Sequence, residues 1–188
     1  TEPPFAVGRR DLVLVDPARG TVAVPDQGIE ARPDRTIELI VVHPAVGDPG
    51  AAPTVAAEWD HSGGEDDDRV AVVGAPPAPG PFPLIVFAHG WDGGGTSFVP
   101  LAEQWARAGY VVALPTFPLS RKGIGFSDDY VEQPDDISFV IDHLTGEGEG
   151  TGLDAEDPLV ASVDGERIAV GGHSLGAATV FRGAYNAC

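Results

Sequence analysis

The stretch Arg167-Ile168-Ala169-Val170-Gly171-Gly172-His173-Ser174-Leu175-Gly176-Ala177-Ala178-Thr179-Val180 decides the fold. Residues 167–170 read as a buried strand, 171–176 as a glycine-rich turn, and Ala177–Asn186 as a helix. Two upstream units repeat the alternation. Leu84-Ile85-Val86-Phe87-Ala88 is a continuous apolar strand, followed by a helix from about Pro100 to Ala108 with Leu101, Trp105 and Ala108 on one face and Gly109 as its stop. Tyr110–Leu114 is the next strand, and Pro134-Asp135-Asp136 opens a helix through Leu144, with Ile137, Val140, Ile141 and Leu144 at helical spacing and acids favouring the helix dipole. Continuous apolar strands alternating with helices predict an α/β fold, a mainly parallel sheet covered on both faces.

Before these units, residues 9–15 and 36–42 are β-rich runs separated by turn chemistry at Asp16-Pro17-Ala18-Arg19-Gly20, with Pro44 ending the second. They predict an antiparallel N-terminal strand pair. From 47 to 80 the composition shifts to Ala, Pro, Gly and acid, interrupted by Arg69–Val73, and no second core pattern follows. The chain therefore reads as one domain, 1–188, with 47–80 as a surface excursion. Glu65-Asp66-Asp67-Asp68 within it reads as a solvated acidic loop, with a calcium site as the alternative.

Composition excludes several classes. Hydrophobic content of 43% and charged content of 21% are those of a globular domain, and no apolar run approaches the roughly 18–20 residues of a membrane span. Twenty-nine acids against 11 basic residues give a net charge of −18, which repels nucleic acid and anionic membranes. Cys188 is the only cysteine, so no internal disulfide can form. Thr1-Glu2-Pro3-Pro4 has neither the basic start nor the apolar core of a signal peptide, and a chain opening on Thr reads as processed or trimmed, which leaves secretion open and favours it over a cytoplasmic location.

Gly172-His173-Ser174-Leu175-Gly176 is a Gly-x-Ser-x-Gly sequence, and its position between a buried strand and a helix gives it meaning. A serine at such a bend projects its hydroxyl above the sheet, the flanking glycines allow strand and helix to approach closely, and the helix N-terminus favours developing negative charge. The alternative, a phosphate-binding turn, lacks a following Lys and a Gly-x-Gly-x-x-Gly frame. His89-Gly90-Trp91-Asp92-Gly93-Gly94-Gly95 follows an earlier strand, where a loop can lend a backbone N–H to an oxyanion hole. Ser174 is therefore the candidate nucleophile, and the N–H groups of Trp91 and Leu175 are the candidate oxyanion donors. His89 is better placed to brace that loop with Gly90 than to act as a base, and Trp91 is also a candidate lining of an acyl or aromatic pocket. His173 adjoins Ser174 in the chain and is turned elsewhere by the bend; His43, His61 and His143 have no catalytic context. No base is identified, and no metal or organic cofactor is implied.

With Val7-Gly8-Arg9-Arg10, Asp16-Pro17-Ala18-Arg19, His43-Pro44-Ala45, Pro81–Gly90, Gln133–Asp142 and Gly172–Gly176 in this order, the chain resembles the α/β-hydrolases. The likeness is to predicted dienelactone hydrolases and to the platelet-activating-factor acetylhydrolase, chlorophyllase and cutinase-like polyester hydrolase branches. The resemblance implies a serine esterase or lipase-like enzyme acting on small-molecule or lipid-like esters through an acyl-enzyme. It departs at Gly93-Gly94-Gly95, which predicts an unusually flexible loop, and at Ala177-Ala178, where a further glycine is common. In the family the acid and the histidine follow the serine, and only twelve residues follow Gly176. The resemblance thus implies a hydrolase domain incomplete at its C-terminus and inactive alone, its remainder being a further segment. A serine peptidase or amidase and a non-catalytic binding module stay open as alternatives.

Overall fold

The computed structural model describes residues 5–49 and 71–186; the acidic run 65–68, His61 and Cys188 lie outside them. Among the described residues the strands are β1 (Ala6–Asp16), β2 (Arg35–Ala45), β3 (Val72–Val73), β4 (Phe82–Ala88), β5 (Val111–Thr116) and β6 (Val163–Gly172). The helices are α1 (Val99–Arg107), α2 (Gln133–Thr145), α3 (Pro158–Ala161) and α4 (Leu175–Asn186). One six-stranded sheet runs in the order β3-β1-β2-β5-β4-β6. The β1–β2 pair is antiparallel, as the two N-terminal runs predict, β2 joins β5 antiparallel, and β5, β4 and β6 are mutually parallel. The described end of the 47–80 segment returns to the sheet edge, with β3 parallel to β1.

Alternation along the central strands feeds two cores. Ile37, Leu39 and Val41 of β2, with Val111 and Ala113 of β5, face a layer formed with Ile137, Val140 and Leu144 of α2. Ile40, Val42, Val112 and Leu114 point the other way, onto Val99, Ala102 and Ala106 of α1. Packing on both faces is why β4 and β5 read as unbroken apolar runs.

Three expectations need correction. The face α1 buries is Val99, Ala102 and Ala106, with Trp105 half-buried against it as expected, whereas Leu101 is 39% exposed and Ala108 is exposed, because small side chains let the helix lie close to the sheet. Pro44 does not end β2, which runs to Ala45; pairing to β5 stops at Val42, so the N–H that proline lacks falls outside that ladder. Asp136 is not a surface dipole partner but is fully buried. Its carboxylate takes Arg35 Nε and Nη2 in a bidentate pair, both at 2.6 Å, while Nη2 also reaches Asp129 at 2.9 Å. Arg19 adds a contact to Asp136 at 2.9 Å. Burial works against the charge on Arg35, yet the two carboxylates win and hold it above its ordinary value. Burial likewise pushes the Asp136 carboxyl up, against the pull of Arg35 and Arg19. The bidentate geometry supports an ionised pair.

β6 is the last strand of the sheet, and nothing among the described residues pairs with its outer edge. Ile168 is 37% exposed there, and a cavity of about 640 Å³ opens between α2, β6 and α4, lined by Ile137, Ile141, Val170 and Val180.

Removing one partner of a buried ion pair leaves the others uncompensated. Arg35→Ala is expected to cost about 3–5 kcal/mol in urea unfolding. Arg167→Ala, whose partner Asp164 is on the surface, should shift the midpoint little.

Candidate active site

The chain passes from β4 to β5 through α1 on one face, then returns past β4 to β6 through α2 on the other. The loops leaving β4 and β6 thus meet at a topological switch point above the carboxyl ends of the strands, where open α/β sheets place their ligands.

The β6 loop is the tight bend at Ser174. Among the described residues only Ser174, at φ 55°, and Asp92, at φ 53°, are non-glycine residues in the left-handed region. Ser174 is exposed and Leu175 opens α4 directly, two residues earlier than the sequence predicts. The flanking glycines are required by contact. A Cβ on Gly172 would lie 2.5 Å from the backbone of Gly176, and one on Gly176 would overlap the carbonyl oxygens of Ala88 and His89. His173 N–H donates to Ala88 O at 3.0 Å, fastening the bend to the end of β4.

The β4 loop lies against this bend. A Cβ on Gly90 would be 3.1 Å from the Ser174 Cβ and 3.2 Å from His173 Nδ1, so the serine side chain adjoins the 89–95 loop. His173 is exposed, with its ring 5.8 Å from that of Phe98 on the same side. His89 is 1% exposed. Its Nε2 accepts from Phe117 N–H at 3.0 Å, which leaves the proton on Nδ1 to donate to Gly90 O at 2.7 Å. Both ring nitrogens are thus committed within the chain, and burial lowers the imidazole below its ordinary pKa. Trp91 is 59% exposed, and its indole Nε1 donates to Gly125 O at 2.5 Å. Among the described residues, the backbone N–H groups of Trp91 and Leu175 have no acceptor within the chain.

No family model matches the sequence, and no curated protein matches it. Among solved structures, a ferulic acid esterase from Streptomyces cinnamoneus is similar with a TM-score of 0.72 and 25% identity, over 97% of this chain and 56% of that one. The architecture matches part of an esterase α/β-hydrolase fold. The chain spans just over half the length of that structure.

Within this α/β-hydrolase frame the glycine run 93–95 is not loose. Gly95 N–H donates to Thr116 Oγ1 at 3.0 Å, and a Cβ there would strike the Leu114 carbonyl; Lys122 N–H donates to Gly93 O at 2.9 Å. These glycines serve close approach, which corrects the expectation of flexibility. The other described histidines stand apart from Ser174. His43 is buried with Nδ1 on Pro44 O, and His143 places Nδ1 on Phe139 O. No described histidine is hydrogen-bonded to the serine hydroxyl. Among the described residues no cluster of three or more His, Cys, Asp or Glu could hold a metal ion, and no helix is long and apolar enough to cross a membrane.

Sequence reasoning missed the support behind the bend. Thr179, one turn into α4, donates to Gln133 Oε1 at 2.5 Å; Gln133 Nε2 donates to Ser120 Oγ at 2.8 Å. Asp129 accepts from Leu119 and Ser120 N–H at 3.2 and 3.3 Å, and thereby connects this chain of bonds to Arg35. The available signal was an arginine, Arg35, opening the strand that carries Ile37, Leu39, Ile40, Val41 and Val42.

Burial holds His43 and His89 below the ordinary imidazole value of 6.5, so each binds a proton less readily in the fold than in the unfolded chain. Their contribution to stability is present above pH 6.5 and is lost as pH falls below it. The titration midpoints of both rings, followed by NMR, should lie below 6.5; midpoints at or above 6.5 would contradict this.

Proposed function

We propose that this chain carries the nucleophile of a carboxylic ester hydrolase. The reading rests on one observation: a serine in left-handed backbone between strand and helix, exposed and adjoining the Gly90–Trp91 loop. Ser174 Oγ attacks the ester carbonyl, its proton passing to a general base, and the carbonyl oxygen becomes an oxyanion facing the N–H groups of Trp91 and Leu175. Collapse expels the alcohol, which takes that proton, and leaves an acyl-enzyme; water then adds to the acyl carbon and releases the acid and the free serine. His89 and Gly90 hold the oxyanion loop, and His173 packs beside it.

The base and its carboxylate partner are assigned to polypeptide outside the described residues. It would cover the open edge of β6, where exposed Ile168 and the adjoining cavity offer an apolar seat. Among hydrolases we place the chain with the dienelactone hydrolase, acetylhydrolase, chlorophyllase and cutinase-like group. Esters of aromatic acids such as ferulic acid are a reasonable first substrate class, given the name of the similar structure and the exposed indole of Trp91.

A non-catalytic binding module is the second reading, favoured by the lack of a histidine on the serine hydroxyl among the described residues. Turnover decides between them. On p-nitrophenyl esters the full-length protein should be active, and Ser174→Ala should lower kcat by about three or more orders of magnitude. Unchanged turnover in that variant would end the esterase reading. Faster cleavage of peptide anilides than of short esters would move the assignment to an amidase.

A further inference from the structure

Among the described residues, the two non-glycine residues in left-handed backbone, Ser174 and Asp92, stand on the two loops that meet above β4 and β6. The strain at Asp92 has an attached purpose. Its Oδ1 accepts the Gly123 N–H at 2.8 Å, one of three hydrogen bonds that clasp residues 91–93 to the turn at 121–125. The others are Trp91 Nε1 to Gly125 O, and Lys122 N–H to Gly93 O. The turn is shaped to receive them. Gly123 and Gly125 are themselves left-handed, at φ 84° and 59°, and a Cβ on Gly125 would press on the Trp91 indole at 3.2 Å and on Asp92 Oδ1 at 3.4 Å.

We propose that Asp92 is a positioning residue, whose left-handed backbone and carboxylate clasp the 91–93 segment to the 121–125 turn and so aim the Trp91 backbone N–H at the oxyanion formed on Ser174. This rests on the esterase reading and adds to it a role for the 121–125 turn. The clasp extends to Trp91 and Asp92 the contacts that already fix Gly93 and Gly95. Without it, ordering residues 91 and 92 during each turnover would cost about 1–2 kcal/mol for every residue fixed. A donor held in place beforehand avoids that cost at the moment charge develops. Asparagine fits the same position, because it tolerates left-handed backbone and its amide oxygen can accept from Gly123.

The test uses the full-length protein, with p-nitrophenyl ester kinetics beside the exchange rate of the Trp91 indole N–H read by NMR. Asp92→Ala should lower kcat roughly 10- to 100-fold with KM within about threefold, and should speed indole exchange at least tenfold. Asp92→Asn should recover most of both. Wild-type kcat in Asp92→Ala, or a kcat loss with the indole N–H still protected, would overturn the positioning role and leave the esterase reading standing. No turnover by the wild type would overturn the esterase reading itself, and this role with it.

Discussion

Five residues, Gly172 to Gly176, carry the constraint on which the site depends. The strand must stop and the helix must begin within so short a span that Gly172 and Gly176 touch across it, while Gly176 packs on the last carbonyls of β4. No side chain beyond hydrogen fits at either position, and the residue between them is driven into left-handed backbone, at a cost of roughly 1–2 kcal/mol for a non-glycine residue. The same closeness brings Gly90 against the serine. One steric fact therefore sets both the exposure of Ser174 and its proximity to the 89–95 loop.

Strain of that kind persists only where the surroundings over-determine it. Here α4 is tied at Thr179 to Gln133, Gln133 to Ser120, and the 119–120 segment through Asp129 to Arg35. The network begins one helical turn from the serine and ends on β2, at a guanidinium shared by two buried carboxylates. His89 does the equivalent work for the opposite loop, spending both ring nitrogens on holding Gly90 and Phe117. Both supports are buried and hydrogen-bonded, which suits parts whose work is to hold geometry.

What was legible in the sequence was local. The strand–turn–helix around Ser174, the apolar strands β4 and β5 and the placement of His89-Gly90-Trp91 after β4 depend on neighbours in the chain, and the fold reproduces them. The burial read for residues 167–170 is not reproduced: no residue of β6 is buried, because β6 is the edge of the sheet and the described residues leave its outer side open. The face of α1 was misread because hydrophobic size suggested Leu101, whereas helix–sheet distance selects Val99, Ala102 and Ala106. The pairing of Arg35 with Asp136 spans 101 positions, so no local pattern could reveal it. Gly93-Gly94-Gly95 read as slack because composition reports freedom in the unfolded chain, while the folded loop uses missing side chains to fit beneath Leu114 and beside His89.

The central claim is geometric: the Ser174 hydroxyl faces the amide hydrogens of Trp91 and Leu175. A crystal structure of the full-length protein after treatment with an alkyl fluorophosphonate tests this directly. The account predicts phosphorus bonded to Ser174 Oγ, with the phosphoryl oxygen within about 3.1 Å of both nitrogens. An adduct on another residue, or one on Ser174 whose oxygen points away from both amides, would contradict it.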